Sequence, residues 1–332
     1  MYVKRYLSPL IIYYYSWRMV LFSLFTGSMA IFLYSYLGWS WVGIPWLPVS
    51  LVGTATAFFV GFKNNQSYDR SWEARKVWGS ITNHSRSFAA ALRAFAMDED
   101  PLEMNANIDV KIMIYRHIAW LYALKRAMAQ RTSWEHKDIA SKRQRNILHG
   151  LQTPCEVEIE KYLSGDEHAE IENKTNLATQ ILDKQSQHLA RLRHAGNVDA
   201  YQHVALQTII SNLYDEQGKS ERIKNTPFPR QYATTSNLFI FVFMTLLPFG
   251  LLLQFVELGE RYMFLLIPFN MIVSWVFMFM EYVGDISENP FEGLLNNIPI
   301  ATIVRNIEID LIDMLGEDQI PEKLQPYFGA LF

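Results

Sequence analysis

The chain has 332 residues, 50% of them hydrophobic and 14% aromatic, and a formal net charge of −3. That charge, with no basic stripe interleaved with aromatics, argues against a nucleic-acid partner. The single cysteine, Cys155, rules out an intrachain disulfide and a Cys-rich metal site.

Charge is segregated along the chain. No charged side chain lies between Arg18 and Lys63, between Arg230 and Glu257, or between Arg261 and Glu281, whereas the stretch from Lys63 to Arg230 is heavily charged. A bilayer imposes such blocks, because a charge in hydrocarbon costs several kcal/mol. The N-terminal apolar run is longer than a signal-peptide core and lacks an A-x-A-like site, so it reads as a span rather than a cleaved leader.

The first window is too long for one crossing and fits two helices of about 18 to 20 residues. Val20–Leu37 is the first span. The segment from Gly38 to Trp46 is a turn, with Gly and Pro to break the helix and three Trp for an interfacial belt. Leu47–Phe62 is the second span, and the chain then enters Lys63-Asn64-Asn65-Gln66 with no loop signal. A helix that continues from bilayer to cytosol beside water explains that passage.

The middle region reads as helices over Tyr68–Met97, Ile108–Gln130, Glu135–Leu148, His168–His194 and Asp199–Tyr214, from apolar residues at three-four spacing. Asp98-Glu99-Asp100-Pro101 and Asn225-Thr226-Pro227 are breaks. Tyr232–Val256 is the third span, with a kink expected at Pro248 and Gly250, and Tyr262–Met280 is the fourth. Four spans put both termini on one side. Lys4, Arg5, Arg18 and the basic residues after Lys63 lie there, against Arg261 alone in the opposite turns, so that side is expected to be cytoplasmic.

Thr54, Phe58 and Phe62 recur every four residues and share one face of the second span. By spacing alone they fit membrane packing as well as a pore lining. Asp69, Arg70, Glu73, Arg75 and Lys76 fit a solvated helix face.

Four ordered motifs sharpen this. Gly61-Phe62-Lys63-Asn64-Asn65, Tyr68-x-Arg70 and Glu73-Ala74-Arg75-Lys76-x-Trp78-Gly79 resemble the signature of bestrophins, particularly the bacterial homologues. The segment from Glu221 to Pro229, which includes Pro227, resembles the family's approach to the third span. Glu288-Asn289-Pro290-Phe291 resembles the stretch after the fourth span. Asn296-Asn297-Ile298-Pro299 with Ile307–Leu311 resembles the C-terminal helix.

The resemblance implies an all-α membrane protein: four transmembrane helices and a helical cytosolic domain, assembled as a homopentamer around a central pore. The divisions are 1–62, 63–230, 231–282 and 283–332. It also implies a pore neck at Thr54, Phe58 and Phe62, where the family expects an aliphatic residue in place of Thr54, so the neck should be wetter at its extracellular end. Rings of Phe58 and Phe62 would gate by dewetting. A second, cytosolic constriction falls near Tyr201, which an ordinary helix interface would also explain.

Monovalent cations are favoured by analogy with a bacterial relative, with anions such as chloride the alternative. Animal members bind calcium through an acidic cluster after Asn-Pro-Phe. Here Glu292 stands among amides, so calcium activation, a metal and a cofactor are not expected. The expected partners are further copies of the chain, membrane lipid and permeant inorganic ions, in the bacterial inner membrane. No phosphate-binding or hydrolase motif supports an enzyme, and no repeat symmetry supports a transporter. A membrane-anchored structural or signalling protein is the remaining rival.

Overall fold

A computed structural model describes residues 1–96, 104–137, 155–294, 296–327 and 329–331. Among them no strand occurs. The chain divides into two compact units: one of Lys4–Arg70 and Pro227–Glu288, the other of Met1–Val3, Ser71–Thr226 and Asn289–Phe332.

The first unit holds the apolar helices. α1 (Pro9–Ile31) starts eleven residues before the expected span, with a proline in its first turn where a missing N–H costs nothing. Arg18 lies within it, as a good helix former can, with its guanidinium 5.3 Å from the Trp17 ring centre. A π turn, Phe32–Tyr36, extends the helix. The chain then reverses at Gly38, whose φ of 66° suits glycine. Trp39 and Trp41 stack at 5.6 Å in the turn that follows.

α2 (Trp46–Ala96) is a single helix of 51 residues. At 1.5 Å per residue it is roughly 75 Å long. The passage from apolar to charged sequence at Phe62–Lys63 therefore occurs inside one helix, as the absence of a loop signal implied.

Four stretches are long and apolar enough to cross a membrane: Ile12–Tyr36, Ser40–Phe95, Arg230–Glu257 and Glu260–Ser287. The last two contain helices at Arg230–Glu257 and Leu266–Ser287, numbered below as α8 and α9. α1 packs on both, and they pack on each other. Small and polar side chains join α1 to the last helix: Asn270 donates to the Ser23 carbonyl at 2.7 Å, and Trp275 to Ser16 Oγ at 2.9 Å. Helix Arg230–Glu257 runs on through Pro248. Gly250 serves close approach there, since a Cβ would lie 2.9 Å from Val49 Cγ2.

The second unit is built on α3 (Met104–Ala129), which packs against α4 (Cys155–Tyr162), α6 (Leu177–Ala195), α7 (Ala200–Asn225) and α10 (Ile300–Leu315). α5 (Gly165–Ile171) lies on α6. The core takes Trp78, Ile81, Phe88 and Leu92 from α2, Ile114, Ile118 and Leu121 from α3, and Val304, Ile307 and Leu311 from α10.

Two helix expectations are corrected here. His168–His194 is two helices, because Asn176 caps α6 by accepting from the Thr179 N–H at 3.1 Å. Asp199–Tyr214 runs on to Asn225, starting from a capping box with Gln202 and stopping before Pro227. The expected helix Glu135–Leu148 has its first three residues in a loop, and the remainder lies outside the described residues. So do the break at Asp98–Pro101 and Met97, the expected end of Tyr68–Met97. α8 (Arg230–Glu257) and α9 (Leu266–Ser287) complete the chain order.

Candidate pore-lining face of the second helix

Among the described residues, none covers one face of α2. Thr54, Phe58 and Phe62 all lie on it, with Phe58 69% exposed and Phe62 54%. The two rings meet edge to face, 4.5 Å apart at 88°. The Thr54 hydroxyl donates to the Ser50 carbonyl at 2.9 Å, which leaves its methyl group as the outward apolar part. The same exposed face continues through Gly61, Asn65, Gln66, Tyr68, Asp69, Trp72, Arg75, Lys76 and Gly79.

The opposite face is anchored. Val60 packs with Ile240 and Met244. A Cβ on Gly53 would lie 2.6 Å from the Phe243 ring. Lys63, expected to join a water-lining polar face, is instead buried. It is one residue past Phe62, so it points about 100° around the helix. Its ammonium pairs with Glu281 and has Asp285 at 3.8 Å, and Glu281 also accepts from Ser236 Oγ at 2.5 Å. Asn64 is half-buried and donates to the Met280 carbonyl at 3.0 Å. The sequence signal for this cluster was available in Glu281, the first charge after the fourth apolar run.

The other motif residues fall into distinct roles. Trp78 and Phe291 are core residues of the second unit. Glu73 accepts from Arg222 at 2.5 Å, and Arg75 lies 3.6 Å from Met1 Sδ. Arg70 is partly buried. Pro227 follows the end of α7, and Pro229 precedes the first residue of α8. Tyr201 is in the first turn of α7 and is 89% exposed. Val204, Thr208 and Ser211 are exposed with it and carry no charge.

Residues 9–313 match the family model for Bacterial/Fungal Bestrophin protein. The chain belongs to the bestrophin family. Its fold is similar to that of a bacterial bestrophin homolog from Klebsiella pneumoniae, with a TM-score of 0.75 at 22% identity, over 91% of this chain and 98% of that one. In sequence it is 26% identical to the voltage-dependent anion channel-forming protein YneE of Escherichia coli, over 93% of this chain and 89% of the relative. It is 29% identical to a voltage-dependent anion channel-forming protein of Ralstonia nicotianae, over 85% and 84%. With four membrane-length helices it is a bestrophin-type membrane protein.

In this bestrophin the stretch after α9 is closed by its own chain. Glu292 accepts from the His136 N–H at 2.6 Å and faces His136 Nδ1 at 2.7 Å. Asn297 bonds the Leu294 N–H and the Asn289 carbonyl, and Asn289 Oδ1 accepts from the Phe291 N–H. The Pro290 carbonyl takes the Ile298 N–H at 3.1 Å.

Proposed function

We propose that the protein is a passive ion channel, not an enzyme, formed by five copies whose α2 helices line a central pore. The observation that carries this is the exposed face of α2, with two large aromatic rings, Phe58 and Phe62, on the charge-free stretch that precedes Lys63. A lone subunit would leave it bare, whereas a closed ring turns it inward. Thr54, Phe58 and Phe62 then form the neck, and conduction is limited there by dewetting. Tyr201, at the start of another uncovered face, is the candidate cytosolic constriction.

Anions are the favoured cargo. The curated relatives are named as anion channels, and that outweighs the lean to cations drawn from the sequence. The exposed face of α2 beyond the neck carries Arg75 and Lys76 against Asp69, which also favours anions. The positive-inside rule places both termini and the middle region in the cytoplasm of a bacterial inner membrane.

The test is the reversal potential of the purified protein in planar bilayers under a potassium chloride gradient. A potential near the chloride equilibrium supports the anion reading, and one near the potassium equilibrium restores the cation alternative. Intact protein that carries no current would leave a membrane-anchored structural or signalling role.

A further inference from the structure

We propose that the buried Lys63–Glu281 pair, with Ser236 and Asn64 beside it, is a latch that fixes the angular setting of α2 at the inner end of the neck. The inference rests on the pore reading. It names the positioning residues that hold the Phe62 ring in place.

Three observations carry it. The first is the kind of contact at each level of α2. Around Gly53 and Val60 the back of the helix meets apolar side chains, Phe243, Ile240 and Met244. Such contacts are non-directional and permit rotation and sliding. At Lys63 and Asn64 they become directional. Lys63 pairs with Glu281, Glu281 is held by Ser236 from α8, and Asn64 reaches the Met280 carbonyl on α9. Along the apolar part of α2, the first directional side-chain contact with a neighbouring helix among the described residues thus begins one residue after Phe62.

The second is the neighbouring backbone. Gly61 stands between Phe58 and Phe62, and a Cβ there would meet nothing within 4 Å. Packing does not require that glycine, which makes it the softest step of the helix at the neck. A soft step directly before a rigid anchor is where a small rotation of α2 is absorbed. Gly284 reports the same fit from the other side, since a Cβ there would lie 1.9 Å from Asn64 Oδ1.

The third is electrostatic. A buried ion pair is seldom the most stable choice, because desolvation offsets its attraction, and what it supplies is a defined geometry. Lys63 faces both Glu281 and Asp285, so its charge is neutralised and adds no positive field to the pore. Loosening the latch should therefore change how often the neck conducts and leave ion selectivity alone.

The experiment is single-channel recording of the full chain in planar bilayers. The variants are Lys63→Met, Glu281→Gln and the exchanged pair Lys63→Glu with Glu281→Lys, with Phe62→Ala as an independent report on the neck. Each single change should shift the open-to-closed ratio by about tenfold, the worth of a charged hydrogen bond, with the reversal potential unmoved. The exchanged pair should return the ratio toward the native value. If the single variants do not assemble, Gly284→Ala, which displaces only the Asn64 side chain, should give the same shift. Unchanged ratios in the latch variants alongside altered current in Phe62→Ala would overturn the latch alone. Absence of current from the assembled native protein and from every variant would remove the pore reading and the latch with it.

Discussion

At the residue scale, the exposed face of α2 and the core of the second unit put aromatic groups to opposite uses. Phe58 and Phe62 lie exposed in the single chain and make only their mutual edge-to-face contact among the described rings. Truncating both to Ala forfeits that contact, about 0.5–1.5 kcal/mol, and leaves no cavity in the subunit. Conductance should rise while the assembly survives; dissociated protein with unchanged currents would return these residues to packing. Thr54→Ile should lower conductance by adding apolar bulk where the Thr hydroxyl is already tied to Ser50.

His117 is the contrary case. It is buried between Phe88 and Trp120, with Ser85 Oγ at 2.9 Å from Nε2. Burial pushes its pKa down to about 3. The unfolded chain, with the ordinary value, takes up the proton first as pH falls. Stability from the neutral ring is therefore full above about pH 6.5 and declines toward pH 3. By pH 5 the loss should be about 2 kcal/mol. Urea unfolding of His117→Phe should show a shallower acid limb than the native protein, and equal limbs would refute this.

At the element scale, one carboxylate adds a polar tie to the apolar packing that holds α10 in the second unit. Glu308 accepts from Tyr122 and Tyr162, each at 2.6 Å, and pairs with Arg305 at 3.1 Å. Burial and Glu308 together push both phenols well above their ordinary range, so they act as donors throughout. Glu308→Ala would strand two hydroxyls and part of a guanidinium. It should destabilise the second unit by roughly 3–5 kcal/mol, read as a lower urea midpoint. Tyr122→Phe, which removes one donor, should cost only about 1–2 kcal/mol. Equal costs would mean the network is not cooperative. The loop at Glu135 and His136 works likewise, held by Lys224 at 2.5 Å and by Glu292. Those two partners explain why its first residues are not helical despite their apolar spacing.

At the scale of the whole molecule, topology and assembly are the quantities to measure. Cysteine at Ser40 or Glu260 should react with an impermeant reagent from outside, and Ser133→Cys should not. Glu260 is the better site than Gly259, whose φ of 114° would strain any side chain. Labelling at Ser133 alone would invert the orientation. Light scattering in detergent should show a closed oligomer by the cyclic-pore argument, of about five chains per particle as the family resemblance implies. A stable monomer or dimer would leave the α2 face without its purpose.

The apolar blocks, the turn at Gly38 and the unbroken passage through Lys63 were legible in the sequence, because hydrocarbon excludes charge and loops need breakers. The shared face of Thr54, Phe58 and Phe62 followed from helical spacing alone. The place of Lys63 did not. Its type and its polar neighbours suggested water, and only a helix packed on Glu281, 218 positions away, makes burial tolerable. The split at Asn176 comes from a local cap that apolar periodicity does not register, and the fate of Glu135 was hidden because it depends on Lys224, a distant partner. Local composition thus determined which segments are apolar helices. Tertiary contact decided which charges are solvated and which are paired, because a buried charge is stable only beside a partner brought from elsewhere in the chain.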